Sequence, residues 1–153
     1  MKHAVIDSPI GPLTLVADGD ALAGLYMAEH RHRPAIDGPR DDTVLPAVRE
    51  QLAAYFARDL KEFDLPLATT GSEFQRQVWA ALTTIPYGET WSYGRLAAEI
   101  GRPLASRAVG LANGRNPVSI VVPCHRVVGS NGSLTGYGGG LERKQWLIAH
   151  EAG

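Results

Sequence analysis

Apolar and polar positions alternate over the first 27 residues in three short runs, His3 to Asp7, Leu13 to Ala17 and Leu22 to Met27. Pro9-Ile10-Gly11-Pro12 and Asp18-Gly19-Asp20 separate them, so the pattern predicts a small antiparallel meander. A polar stretch, HRHRPAIDGPRDD, runs from His30 to Asp42, and beyond Thr43 the period changes. Leu45, Val48, Leu52 and the Tyr55/Phe56 pair recur at helical spacing, predicting a helix that closes this unit. Phe63, Leu65 and Leu67 alternate like one more strand, and Ala68-Thr69-Thr70-Gly71 marks an expected boundary between a unit at 1–70 and one at 71–153.

Past that boundary the periodicity is helical. Ser72 with Gln75 has the form of a capping box, and Phe74, Val78, Ala81, Leu82 and Ile85 make one apolar stripe that Pro86-Tyr87-Gly88 ends. Ser92 suits the cap of a second helix running through Ile100, with Gly101 just beyond its end. Pro103 suits the first turn of a third helix, rich in small residues (Ala105, Ser106, Ala108, Gly110, Ala112) and carrying Arg107. Two short helices around a glycine-containing turn fit a helix-turn-helix, and equally an ordinary packed helical hairpin. A last helix is expected from about Leu141 to Glu151. The whole pattern is α+β: a small N-terminal sheet and helix packed on a helical C-terminal unit.

Charge sharpens this division. The 153 residues carry a net charge of −1, yet residues 1–70 hold 7 Lys/Arg against 11 Asp/Glu and residues 71–153 hold 8 against 5. Between Arg95 and Arg126 five arginines (Arg95, Arg102, Arg107, Arg115, Arg126) meet a single acid, Glu99. Such a stretch can face phosphates or can be a solvated basic face. At 44% hydrophobic and 20% charged residues the chain can build a core, and disorder is not expected. No run approaches the length of a membrane span, and the N-terminus lacks the unbroken apolar stretch of a secretory signal, so a cytoplasmic, membrane-free protein is expected.

The chemistry converges on one segment. The sole cysteine, Cys124, follows the apolar run Ile120-Val121-Val122 and Pro123, and precedes His125 and Arg126. A cysteine on a proline-broken turn beside a histidine suits a nucleophile, because the thiolate needs a base or a positive field to form; a buried inert thiol is the alternative. Asn116, ahead of Pro117, is placed to brace the turn, and Glu151 is an acid that can orient His125 or simply be solvated. The glycine cluster around Tyr137 is no phosphate loop but lets backbone approach a flat ligand closely, with Tyr137 and Tyr93 as candidates to contact it. One cysteine and no paired histidine spacing leave no metal site to predict.

The segment NPVSIVVPCHRVVGSNGSLTGYGGGLERKQWLIAHE closely resembles the signature of the O6-alkylguanine-DNA alkyltransferases, the methylated-DNA–protein-cysteine methyltransferases, and SPIGPLTL, EFQRQVWAALTTIPYGETWSYGRLA and SRAVGLANGRNPV resemble further family segments in family order. The resemblance implies minor-groove binding of duplex DNA and rotation of the damaged base into the protein. Arg107 matches the arginine that fills the gap in the stack; Tyr93 matches the tyrosine that crowds the neighbouring phosphate and protonates the base. Ser92, Ser106, Ala108, Gly110 and Arg115 fall in the matching DNA-binding segment.

The resemblance also implies that Cys124 accepts the alkyl group from O6-alkylguanine, and from O4-methylthymine, after Glu151, His125 and a bridging water deprotonate it. Asn116 would support the turn; Tyr137, Gly138, Gly139, Val122, Pro123 and Val127 would line the base and alkyl pocket. No cofactor is implied, each molecule reacts once, and a monomer is expected, with cooperative assembly on DNA as the alternative. Two residues depart from relatives: Ser119 stands where many have a proline, and Gly138 where some have a serine. A non-catalytic lesion-binding protein and a Cys-His hydrolase are the competing readings. Cys124 argues against the first, and the lack of a separate oxyanion signature against the second.

Overall fold

The computed structural model describes residues 1–134 and 136–153. Strands β1 (His3–Ile6), β2 (Leu13–Asp18) and β3 (Ala21–Met27) pair antiparallel in chain order, as the alternation predicts. Leu13 opposes Met27 and Leu15 opposes Leu25, which puts all four on the buried face. Leu22 lies three residues before Leu25, so strict alternation would turn it to solvent. A bulge between the Val16/Gly24 and Ala17/Leu22 pairs inserts Ala23 as an extra residue, and Leu22 returns to the core.

Both edges of this sheet are occupied. On β1, His3 N donates to Pro39 O (3.0 Å) and Asp41 N donates to His3 O (2.7 Å). On β3, Leu22 N donates to Pro66 O and Leu25 N to Pro117 O, both at 2.9 Å, while Met27 N donates to the His30 ring at Nδ1 (3.0 Å). The strand expected around Phe63–Leu67 does not form; Leu67 makes one isolated bridge to Leu22. Pro66 has no N–H to extend a ladder.

Helix α1 (Pro46–Phe56) buries Val48, Leu52 and Tyr55 in the hydrophobic cluster that also holds the inner face of the sheet. Helix α2 (Glu73–Leu82) starts at Ser72 with both arms of the capping box in place. The two-residue strands β4 (Trp91–Ser92) and β5 (Val127–Val128) pair in parallel, and α3 (Tyr93–Glu99) follows, the Ser92 hydroxyl accepting from Arg95 N at 3.0 Å. Gly101, at φ 75°, ends it. Helix α4 (Ser106–Gly114) begins three residues later than Pro103 suggests. Ala105 N donates to Arg102 O, so Pro103 instead takes the second position of a tight turn that must close first. Helices α3 and α4 pack together, and α5 (Leu141–Ala152) returns to the N-terminal part, Arg143 donating to Ile10 O and His150 to Tyr55 O. One hydrophobic cluster runs from the sheet through α1 and α2 to Leu147 of α5. Among the described residues no helix is long and apolar enough to cross a membrane.

Candidate active site

From the end of α4 to the cysteine the chain makes a series of tight turns. Asn116 Oδ1 accepts from Val118 N (3.0 Å), and its amide donates to Val122 O (2.9 Å), so one buried side chain ties both ends of the 118–122 segment. Within it, Val121 N reaches back to Ser119 O across Ile120, and Cys124 N to Val122 O across Pro123, each at 2.8 Å. Ile120 holds φ 72°, a conformation that costs a β-branched residue on the order of 1–3 kcal/mol. Its fully buried side chain and the Asn116 tie hold it there. The result is an abrupt reversal that delivers Cys124 to the head of a single 3₁₀ turn, Cys124–Arg126.

The turn faces the last turn of α5. His125 Nε2 lies 2.8 Å from Glu151 Oε2, and the Tyr55 hydroxyl donates to the same oxygen at 2.6 Å. Arg126 donates from Nε to Oε1 (2.7 Å) and from Nη2 to Oε2 (3.0 Å), with Nη1 on Ile85 O (2.6 Å). An ionised carboxylate only accepts, so His125 carries its proton on Nε2 and turns the Nδ1 lone pair the other way. That buried Nδ1 has no hydrogen-bond partner among the described residues.

Electrostatics fixes the protonation states. Burial raises the Glu151 carboxyl, but the hydrogen bonds and charges of His125 and Arg126 outweigh it and hold it at about 2. Burial pulls His125 below its ordinary value; Glu151 opposes this and Arg126 and Lys144 add to it, so the ring is neutral at pH 7. Burial pushes the Cys124 thiol up, with Asn116, Lys144 and Ser119 pulling it back. Lys144, fully enclosed on α5, is lowered to about 8 by burial, while Cys124 opposes the fall. The site therefore pairs a hard-to-ionise thiol with a neutral base and a cation that favours the thiolate.

The other candidate residues occupy two neighbouring regions. Tyr137 is buried, and its phenol is lifted well above the ordinary value by burial and by Cys124, with Ser119 opposing. Gly138 is half-buried against the His30 ring, and Gly139 is packed on Met27. Val122, Pro123 and Val127 are buried, Val127 opposite Trp91 in the β4–β5 pair. On the outer face, Ser106, Arg107 and Ala108 are exposed along α4, with Arg115 just past its end. Gly110 meets the Tyr93 ring, where a Cβ would lie 3.6 Å from it. The Ser92 hydroxyl is engaged in capping α3. Among the described residues no three His, Cys, Asp or Glu side chains gather to hold a metal ion.

Tyr55, Arg126 and Lys144 belong to this site although sequence pattern gives none of them a place in it; Arg126, counted there among arginines able to face phosphates, is buried on Glu151 and Ile85 O instead. Tyr55 sits on an apolar helical stripe and reads as core, and its partner is 96 residues away. Lys144 does leave a trace: positions 144, 147 and 151 share one face of a helix, so a lysine in register with Leu147 is an ionisable group in an apolar row.

Comparison with known proteins decides the family. The model described as 6-O-methylguanine DNA methyltransferase, DNA binding domain, matches residues 73–153, and that of the ribonuclease-like domain of the same methyltransferase matches residues 1–69. The chain belongs to the 6-O-methylguanine DNA methyltransferase family. It is 55% identical over 152 residues to a methylated-DNA–protein-cysteine methyltransferase of Mycolicibacterium paratuberculosis, covering 99% of this chain and 92% of that one. A methyltransferase of the same name from Methanosarcina acetivorans is 49% identical, with 99% and 98% covered. Among solved structures, Mycobacterium tuberculosis OGT in complex with DNA superposes with a TM-score of 0.95 at 52% identity, covering 99% of this chain and 93% of that chain. The O6-methylguanine-DNA methyltransferase of Pyrococcus kodakaraensis, at 23% identity and TM-score 0.63, shares the fold.

Proposed function

We propose that this methyltransferase repairs DNA by moving the alkyl group of O6-alkylguanine onto its own Cys124, once per molecule. The observation that carries the reading is the arrangement at the head of the 3₁₀ turn: a buried thiol beside a neutral histidine whose Nε2 is held by an ionised glutamate and whose Nδ1 has no hydrogen-bond partner among the described residues.

The thiol proton passes through a bridging water to His125 Nδ1, and Glu151 stabilises the imidazolium that forms. The thiolate, favoured by the Lys144 ammonium, attacks the alkyl carbon in line with the C–O6 bond. The S–C bond forms as the C–O6 bond breaks, the electron pair leaves on guanine, and Tyr93 returns a proton to the base. A thioether has no route back to the thiol, so the protein is consumed one for one and needs no cofactor.

Asn116 holds the turn. Tyr137 with Gly138 and Gly139 takes the rotated base, while Val122, Pro123 and Val127 bound the alkyl side. Arg107 occupies the gap in the stack, and Ser92, Ser106, Ala108, Gly110 and Arg115 meet the minor groove. In this reading residues 71–153 carry the reaction, residues 1–70 support it, and the protein works on cytoplasmic, nucleoid DNA.

The test is intact mass before and after mixing with a duplex holding one O6-methylguanine, followed by peptide mapping. A gain of one methyl on Cys124, saturating at one equivalent, is expected. Folded, DNA-bound protein with unmodified Cys124 overturns the reading in favour of a lesion sensor.

A further inference from the structure

The HRHR run, His30 to Arg33, is the densest basic cluster in an acidic N-terminal part, and the reaction described above does not use it. Its four side chains divide. His30 turns inward, its Nδ1 accepting from Met27 N at 3.0 Å and its ring edge-on to Tyr26. Arg33 is also committed, donating to Met27 O at 3.2 Å and to the Thr14 hydroxyl at 3.0 Å. Between them, Arg31 N donates to Gly138 O at 2.6 Å and His32 adopts φ 59°. The segment is thereby fastened to the glycine cluster by its backbone, and the Arg31 and His32 side chains are left exposed.

Both line a cleft of about 380 Å³ whose other walls include Tyr93, Arg107, Arg115 and Gly138. Among the described residues no carboxylate lines it, although acids outnumber bases in the N-terminal part of the chain. A cleft with three arginines and a histidine at its rim, and no acid among the described residues to neutralise them, concentrates a positive field that a polyphosphate backbone fits. Guanidinium also suits phosphate geometrically, because its fork of donors can bind two oxygens at once.

We propose that Arg31, with His32 beside it, is a phosphate-binding residue supplied by the N-terminal part, forming the wall of the DNA cleft opposite α4. The duplex is then held from two sides, by α4 on one and by the 30–33 segment on the other, with the entrance to the base pocket between them. This rests on reading that cleft as the DNA site.

The experiment measures affinity for an undamaged duplex from 50 to 200 mM salt, for the unaltered chain, Arg31→Ala and Arg40→Ala. Arg40 is a charge-matched control: it lies in the same polar stretch but is paired with Asp42 at 2.8 Å and does not line the cleft. Arg31→Ala is expected to flatten the salt dependence by one phosphate contact. The loss of affinity between the two salt concentrations then shrinks by about 3.5-fold, while Arg40→Ala keeps the original slope. Thermal melts confirm that both variants fold. Equal slopes for Arg31→Ala and the unaltered chain overturn the proposal, as does an equal flattening by Arg40→Ala, which would mark a general charge effect. Failure of the unaltered chain to bind duplex at any salt overturns instead the reading of the cleft as a DNA site.

Discussion

Lys144 is a residue whose cost and use can be separated by measurement. Enclosing an ammonium group penalises the fold, and lowering it to about 8 from its ordinary 10.5 expresses that penalty. The same charge, set beside Cys124, makes the thiolate easier to form. Lys144→Met keeps the volume and removes the charge, so two opposite changes are expected: a chain more stable at pH 7 by about 1–2 kcal/mol, and a slower transfer whose rate climbs toward the parent's at alkaline pH. Urea denaturation reads the first and single-turnover transfer at pH 7 and 9 the second. A variant that is both less stable and equally fast would contradict this account.

That Cys124 and His125 share one turn, with Asn116 bracing the approach to it, was legible in the sequence because local chain chemistry marks it: a proline-broken turn, an adjacent histidine, an Asn-Pro step. Arg126 was visible as part of an arginine-rich stretch, but its role was not. It points inward to Glu151 and to Ile85 O, and nothing in a one-dimensional charge count tells a buried arginine from a surface one.

At the scale of elements, the helices with marked ends were the most legible. Ser72 with Gln75 marks the start of α2, and Ser92 with Gly101 brackets α3, because capping is a local interaction; the apolar stripe expected to run through Ile85 stops being helical at Leu82. The start of α4 and the absent strand at Phe63–Leu67 were not legible, since both depend on where one proline falls in a hydrogen-bond pattern. Nor does pattern show that α1 reaches the reactive site. Tyr55 donates to Glu151 Oε2, the atom that also accepts from His125, and His150 donates back to Tyr55 O at 2.9 Å.

Removing the Tyr55 hydroxyl leaves Glu151 one donor short, which makes the carboxylate a stronger acceptor for His125 and moves the imidazole toward its ordinary value. Tyr55→Phe is therefore expected to shift the acid limb of the transfer rate to higher pH and to cost about 1.5–3 kcal/mol of stability. A loss of stability with an unmoved limb would mean that Tyr55 only packs.

For the whole molecule, the buried ionisable groups set the response to acid. His30 is lowered to about 4, by burial first and then by Arg33 and Arg143, and His125 is lowered as well. Below pH 6.5 both bind protons more readily in the unfolded chain, so stability falls as pH drops from there; the His30 part is complete by about pH 4. Glu151, held at about 2 against its ordinary 4.5, adds a contribution present above 4.5 and lost as pH falls through 2. All three have the same sign, so the urea midpoint is expected to decline steadily from pH 7 to pH 3, without a maximum in between. A midpoint that rises between pH 6 and pH 4 would show that His30 gains a partner on protonation.

A protein consumed in its own reaction must be present in as many copies as there are lesions to remove, which makes crowding of identical chains a working condition. The three-stranded sheet is the part most exposed to that condition, because an open strand edge templates its own kind. Here the backbone of β1 is engaged by the Pro39–Asp41 segment, and that of β3 by Pro66, Pro117 and the His30 ring. Those loops act as selvedges on the sheet: a neighbouring copy finds no row of open backbone donors on which to lay a strand, so the cell can stockpile the reagent without its chains stacking into fibres.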